Sequence, residues 1–174
     1  MSVPSLVDFV GGIIPASTVN QWITAIRYCL RPPAAQVVST VAQSIANNTG
    51  TALVWNTETF DSKFMVDLAG NPTRITFSDT GLYVVGASFG FAINATNQRQ
   101  GFLRINGDTN LRVATSTIDA AANSIQTDFS LAGSWLAAPG DYVECMAFQN
   151  SGGALSTLAL PQQPRMVAVR VSGL

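Results

Sequence analysis

The side chains that could do chemistry in this chain are few, and their spacing tells against catalysis. Its 174 residues include no histidine and only two cysteines. Without an imidazole, neither a Ser-His-Asp nor a Cys-His nucleophile can be activated. Cys29 and Cys145 alone cannot complete a structural zinc site. Glycoside cleavage needs two carboxyl groups facing one another across a substrate. Asp141 and Glu144 are the close acidic pair in an expected strand, and an offset of three sends them to opposite faces. Asp61, Asp67, Asn71, Asp79, Asp108 and Asp141 fall in expected loops. Calcium requires about six to eight converging oxygens, and no spacing of the EF-hand kind occurs here. These residues read as turn formers that bond to nearby backbone, with Asp141 fixing the turn at Pro139-Gly140. Trp55, Trp135, Tyr142 and Phe148 suit either stacking on a sugar at an exposed rim or packing in a core or subunit contact, where aromatics dominate. The chain reads as non-enzymatic, with no cofactor and no metal.

Composition points to association instead. Charged residues make up 11% of the chain, against roughly 25% in soluble domains. Hydrophobic residues reach 47%, and the mean hydropathy is +0.26. A monomer of this kind would expose apolar patches, which burial between copies removes. Insertion in a membrane is not expected: the apolar stretch 6–14 contains Asp8 and a Gly pair, short of the ~20 residues a span requires. No basic residue precedes it, so it does not read as a secretory signal, and the chain is expected to fold in the compartment where it is made. The net charge is -1 and the basic residues are scattered, so nucleic acid is not an expected partner. Both cysteines are expected to be buried free thiols, behaving as small hydrophobes.

Three regions must position these residues. Residues 1–16, interrupted by Pro4, Gly11, Gly12 and Pro15, should be extended or turned. Residues 17–31 predict a helix capped by Ser17 or Thr18, with Val19, Trp22, Ile23, Ile26 and Leu30 on one apolar stripe. Arg27 and Arg31 suit its C-terminal dipole, and Pro32-Pro33 ends it. A helix this short is marginal alone in water, so its stripe must dock on its own domain, on a partner or on symmetry mates. From Gln36 onward, strands are expected at 36–43, 52–56, 63–68, 73–77, 81–93, 98–105, 110–117, 124–137, 140–150 and 164–171. Asn106-Gly107 between two of them is the signal of a type I′ hairpin. Many short strands and no intervening helix predict an all-β antiparallel sandwich. In the strand 81–93, Tyr83, Val85, Ala87, Phe89, Phe91 and Ile93 share one face. The alternate positions, Leu82, Val84, Gly86, Ser88, Gly90 and Ala92, are also small or apolar. A strand with one face in water should be polar there, so this second face is expected to meet another surface.

Several blocks carry a resemblance. Ile75-Thr76-Phe77 followed by Thr80-Gly81-Leu82-Tyr83, then residues 102–107, Leu136 with Pro139-Gly140-Asp141-Tyr142-Val143, and the closing Val167-Ala168-Val169-Arg170-Val171 resemble the tumour-necrosis-factor and complement-globular-head jelly rolls over residues 36–174. That resemblance implies a ten-strand jelly roll forming a compact homotrimer. Phe9-Val10-Gly11-Gly12, residues 14–22, Leu30-Arg31-Pro32-Pro33, Ala42-Gln43-Ser44-Ile45 and residues 149–153 resemble small structural proteins of tailed phages infecting actinobacteria. This second likeness implies a virion-anchoring segment, 1–33, ahead of a jelly-roll head, 36–174. The virion, assembled in the host cytoplasm, would be its location, and capsid or tail proteins its partners. A host cell-surface glycan is a further candidate, on the alternative that the head is the receptor-recognition module of a tail fibre. The residues expected to anchor are Leu6, Phe9, Val19, Trp22, Ile23, Ile26 and Leu30. Tyr83, Val85, Phe89, Phe91, Tyr142 and Phe148 are expected at the trimer interface or in the core.

Overall fold

The computed structural model describes residues 14–120 and 125–173. One helix, α1 (Ala16–Leu30), precedes twelve strands: β1 (Ala34–Val38), β2 (Ser44–Ile45), β3 (Thr51–Ala52), β4 (Thr57–Asp61), β5 (Arg74–Thr76), β6 (Gly81–Phe91), β7 (Gln98–Ile105), β8 (Asp108–Asp119), β9 (Thr127–Ala137), β10 (Tyr142–Gln149), β11 (Leu155–Ser156) and β12 (Arg165–Ser172). The first sheet has the order β4-β1-β12-β6-β9 and the second the order β3-β10-β7-β8, with β5 also on β10. Every pairing between these strands is antiparallel. The all-β sandwich expected from the sequence is the observed architecture.

The core lies between the sheets and follows from the alternation in β6. Tyr83, Val85, Ala87, Phe89 and Phe91 point inward and are buried. Phe89 stacks on Phe129 of β9 at 5.0 Å between ring centroids, and Phe91 meets Phe129 edge-on. Leu103, Ile105, Val143, Cys145 and Ala147 close the core from the second sheet. On one side the sheets approach very closely: a Cβ added at Gly133 of β9 would strike the carbonyl oxygen of Val113 in β8. The β7–β8 connection is the expected hairpin, with φ of 53° at Asn106 and 72° at Gly107, the left-handed pair that a type I′ turn requires.

Several expectations are corrected. The helix begins at Ala16, and neither Ser17 nor Thr18 caps it. Pro15 takes the cap position, and its carbonyl accepts from the N–H groups of Thr18 and Val19. No strand forms at 63–68. The Asp61 carboxylate accepts from the N–H of Lys63 and of Val66, folding the chain back, and Phe64 takes φ of 54°. The strand lies just before, at β4, where four of five side chains are exposed and no alternation marks it. The 52–56 strand shortens to β3, because the N–H of Trp55 donates to Pro72 outside any ladder. The strand 36–43 ends at Val38. Cys29 is exposed, and only Cys145 is buried. Cys29 projects from a helix that buries no residue, whereas Cys145 sits between the sheets, where burial pushes its thiol pKa far up.

Register fixes the ends of the molecule. Ala34 pairs with Val169, Leu82 with Ser172, and Gly81 with Ala137. The end of α1, the end of β12, the start of β6 and the end of β9 therefore share one end, called proximal below. Phe91 pairs with Thr127 and Gln98 with Asp119, so the connections after β6 and after β8 lie at the opposite, distal end.

A candidate subunit interface

The two sheets treat their outer faces differently. On the second sheet, Tyr142, Glu144, Met146 and Phe148 of β10 point outward, beside Phe102 and Arg104 of β7. That face is covered by its own side chains. Arg104 Nε donates to Glu144 Oε2 at 2.8 Å, and Thr73 Oγ1 donates to Glu144 Oε1. The Arg74 guanidinium lies 4.3 Å over the Tyr142 ring, and Arg112 lies 4.0 Å over Phe102. Such stacking holds a cation on an aromatic while its edge stays wet. Phe102 and Met146 end up buried although they face outward.

The first sheet has no such cover. Its outward rows run Gln36, Val167, Gly86, Ala132, then Ala34, Val169, Val84, Ser134, and then Leu82 beside Leu136 at the proximal end. Val84 is 45% exposed, Leu136 53% and Val171 55%. Between Ser88 and Leu82 the outward positions of β12, β6 and β9 carry no ionisable group. Arg165 and Asp128 appear only at the distal rim, flanking a groove of about 240 Å³ with Gln162 and Gln163. The centre is flat, because Gly86 has no side chain and a Cβ there would lie 3.3 Å from the Leu131 carbonyl oxygen. A flat, uncharged, apolar sheet face is what a partner surface needs and what water does not favour.

The sequence-predicted residues separate cleanly. Tyr83, Val85, Phe89 and Phe91 are in the protomer core. Tyr142 and Phe148 are half-buried on the outer face of the second sheet. Val19, Ile23, Ile26 and Leu30 are exposed along α1, and Trp22 is half-buried. Leu6 and Phe9 lie outside the described residues. Of the four candidate sugar-stacking aromatics, Trp55 is in the core, Trp135 packs against it and Arg74 covers Tyr142, so no common platform is assembled. What sequence reasoning named only as a second face is the alternate set on β6, to which the structure adds Leu136, Val167, Val169 and Val171.

The loop acids serve the local backbone. Asp67 accepts from the Gly70 N–H and from Asn71 Nδ2, and these bonds lower its pKa. Asp108 accepts from the Asn110 N–H. No group of three or more His, Cys, Asp or Glu placed to hold a metal occurs among the described residues. Asp141 accepts from the Ala138 N–H at 2.9 Å, bridging the Pro139-Gly140 turn, and from Asn106 Nδ2 at 2.8 Å. The bond from Ala138, then that from Asn106, hold its carboxyl below the usual range. A carboxylate with a depressed native pKa contributes stability above its unfolded pKa and loses it as pH falls through the native one. We therefore expect the wild type to lose stability on acidification below about pH 4, the unfolded carboxylate range. Asp141→Asn, lacking that titration, should show a shallower acid slope in urea midpoints; an identical slope would remove Asp141 from the account.

No protein-family model matches this chain, and no curated protein matches it in sequence. Solved structures do. The globular domain of zebrafish complement 1qA protein aligns with a TM-score of 0.58 at 12% identity, over 82% of this chain and 99% of that one. Murine APRIL at pH 5.0 aligns with a TM-score of 0.61 at 13% identity, over 80% and 98%. Eiger TNF from S. frugiperda gives 0.56 at 14% identity, over 82% and 95%. The strand order and these alignments give one conclusion: residues from β1 to β12 form a jelly-roll sandwich with the fold of the tumour-necrosis-factor and complement globular domains.

Proposed function

We propose that this chain is a non-enzymatic structural protein of a bacteriophage virion: a homotrimeric jelly-roll head, held to the particle by residues 1–33 and displayed outward as capsid decoration or as a minor tail protein touching the host. The observation that carries the oligomeric part is the uncharged outer face of the first sheet, set against the self-covered face of the second. Three copies packing these faces around one axis remove Val84, Leu136 and Val171 from water. At roughly 25 cal/mol per Å² of apolar surface buried, that is the driving force the low charge content lacks elsewhere. The virion part is supported by the likeness of residues 9–12, 14–22, 30–33, 42–45 and 149–153 to small phage structural proteins. It is supported also by a leading helix that contributes nothing buried to the head. No helix among the described residues is long and apolar enough to cross a membrane. The glycan-binding alternative requires an exposed aromatic platform, which Trp55, Trp135, Tyr142 and Phe148 do not build.

The test is genetic and biochemical. A variant beginning at Ala34, supplied during infection, is expected to fold and trimerise yet be missing from purified particles, while the full chain is incorporated. Incorporation of the truncated chain at the normal level would overturn the anchor. Counting copies per particle then separates capsid decoration, which follows the capsid lattice, from a tail protein present in a handful.

A further inference from the structure

Along α1, Val19, Ile23, Ile26 and Leu30 recur at intervals of four, three and four. That is the hydrophobic repeat of a coiled-coil seam, with Val19 and Ile26 at d and Ile23 and Leu30 at a. The seam is bare on the protomer: Ile26 is 56% exposed and Leu30 76%. A different face of the helix, with Trp22, Ala25 and Tyr28, is half-buried. The last turn is pinned to the head, where the Tyr28 ring lies 5.3 Å from Lys63 Nζ and 5.0 Å from the Arg170 guanidinium. Tyr28 and Cys29 border Val171 and Ser172 at the proximal end of the first sheet. Leu30 leaves the same end toward Ser62 and Lys63, with Arg27 and Arg31 beside it.

We propose that α1 forms a parallel three-stranded coiled coil with the α1 helices of two further copies, coaxial with the heads. This deepens the trimer reading and rests on it. Three observations select this occupant. The stripe leaves the same end of the molecule as the uncharged sheet face, so copies that pack those faces bring their helices together. Val19 and Ile26, like Ile23 and Leu30, stand seven residues apart, the heptad of a seam between helices, whose stripe is narrower than that of a helix lying on a domain. Leu at a with Ile at d, as at Leu30 and Ile26, favours three or four strands over two. A 15-residue helix that is marginal alone becomes ordered by this packing. The seam is then used between copies, and attachment falls to the part of residues 1–33 outside it.

The native cysteines provide the test in the full-length protein. Cys29 is exposed and Cys145 buried, so a nitroxide reagent labels Cys29 alone, once per copy. Helix axes 8–10 Å apart place the labels within about 25 Å of one another, and pulsed dipolar spectroscopy should show one narrow distance in that range. Ile23→Glu/Ile26→Glu should lengthen and broaden it while light scattering still gives three times 18.3 kDa. Wild-type labels beyond about 40 Å, several times the interaxial distance, or a distance unmoved by Ile23→Glu/Ile26→Glu, would overturn the bundle with the trimer intact. A single-copy mass for the wild type would overturn the trimer reading itself, and the bundle with it.

Discussion

Val84→Asp is expected to reduce the mass in solution from about three times 18.3 kDa to 18.3 kDa while leaving the protomer folded. Val84 lies in the middle of the outer face of the first sheet, between Val169 and Ser134, with no cation in its row. Its side chain is already 45% exposed in the protomer, so a carboxylate there is well hydrated in a single copy. In the proposed trimer each copy would bury that charge without a partner. The effective penalty is several kcal/mol per ion, and each 1.4 kcal/mol is about tenfold in the association constant. Repeated at three equivalent contacts, this exceeds what an interface of ordinary size retains. Val84→Ile keeps the face apolar and should keep the trimer. Near-UV circular dichroism checks the protomer and multi-angle light scattering the mass. A Val84→Asp protein that still runs as three copies would show that the face is not the contact.

Arg99→Met should be the most destabilising change at a polar position. Arg99 is completely buried, which lowers its pKa, although a guanidinium keeps its proton in proteins. No described carboxylate is hydrogen-bonded to it. Instead Nη1 donates to the carbonyls of Thr96, at 2.8 Å, and Gln98, and Nη2 to that of Asn94 at 3.0 Å. The guanidinium thereby holds residues 94–98, which join β6 to β7 at the distal end. Methionine fills much of the volume but leaves the Thr96 and Asn94 carbonyls without donors, while that of Gln98 still accepts from the Asn150 N–H. At about 1–3 kcal/mol for each of these two buried groups left unsatisfied, partly offset by water entering, the loss should be about 2–4 kcal/mol. That is a large share of the 5–15 kcal/mol typical of a domain, and a fall in Tm of roughly 10 °C at this size. Lysine should not rescue it, because one ammonium cannot span acceptors that a planar fork reaches separately. An unchanged urea midpoint for Arg99→Met would contradict this account.

How far the sequence could be read depended on how local each signal was. The strand at 98–105 coincides with β7, and the Asn106-Gly107 turn has the expected backbone, because both are set by alternation and by residues that tolerate positive φ. In β6, Tyr83 and Val85 alternate with Leu82 and Val84, which shows that both faces are apolar. Which face is the core was not legible, since it depends on β12 and β9 lying on either side, and those pairings join residues far apart in the chain. β4 was missed for the opposite reason. Thr57, Glu58, Thr59 and Phe60 are exposed, so the strand exists through its ladder with β1 and leaves no pattern in hydrophobicity. The apolar run at 63–68 misled because Met65 is buried from a loop, and a single carboxylate, Asp61, turns the backbone there. Arg99 gave no signal at all: its role is defined by three carbonyls that converge only once the loop closes.

The shared end of α1 and β12 also governs how the molecule can be engineered. Pro33 accepts from the Arg170 N–H, so a tag joined beyond Gly173 would start beside the leading helix and, on the proposed anchoring, be poorly presented. A peptide spliced into the connection between Ala120 and Ile125 starts at the other pole, after β8 and before β9, where in the proposed trimer three inserts would stand clear of the helices. For display of an epitope or a targeting ligand, that connection is the place to build.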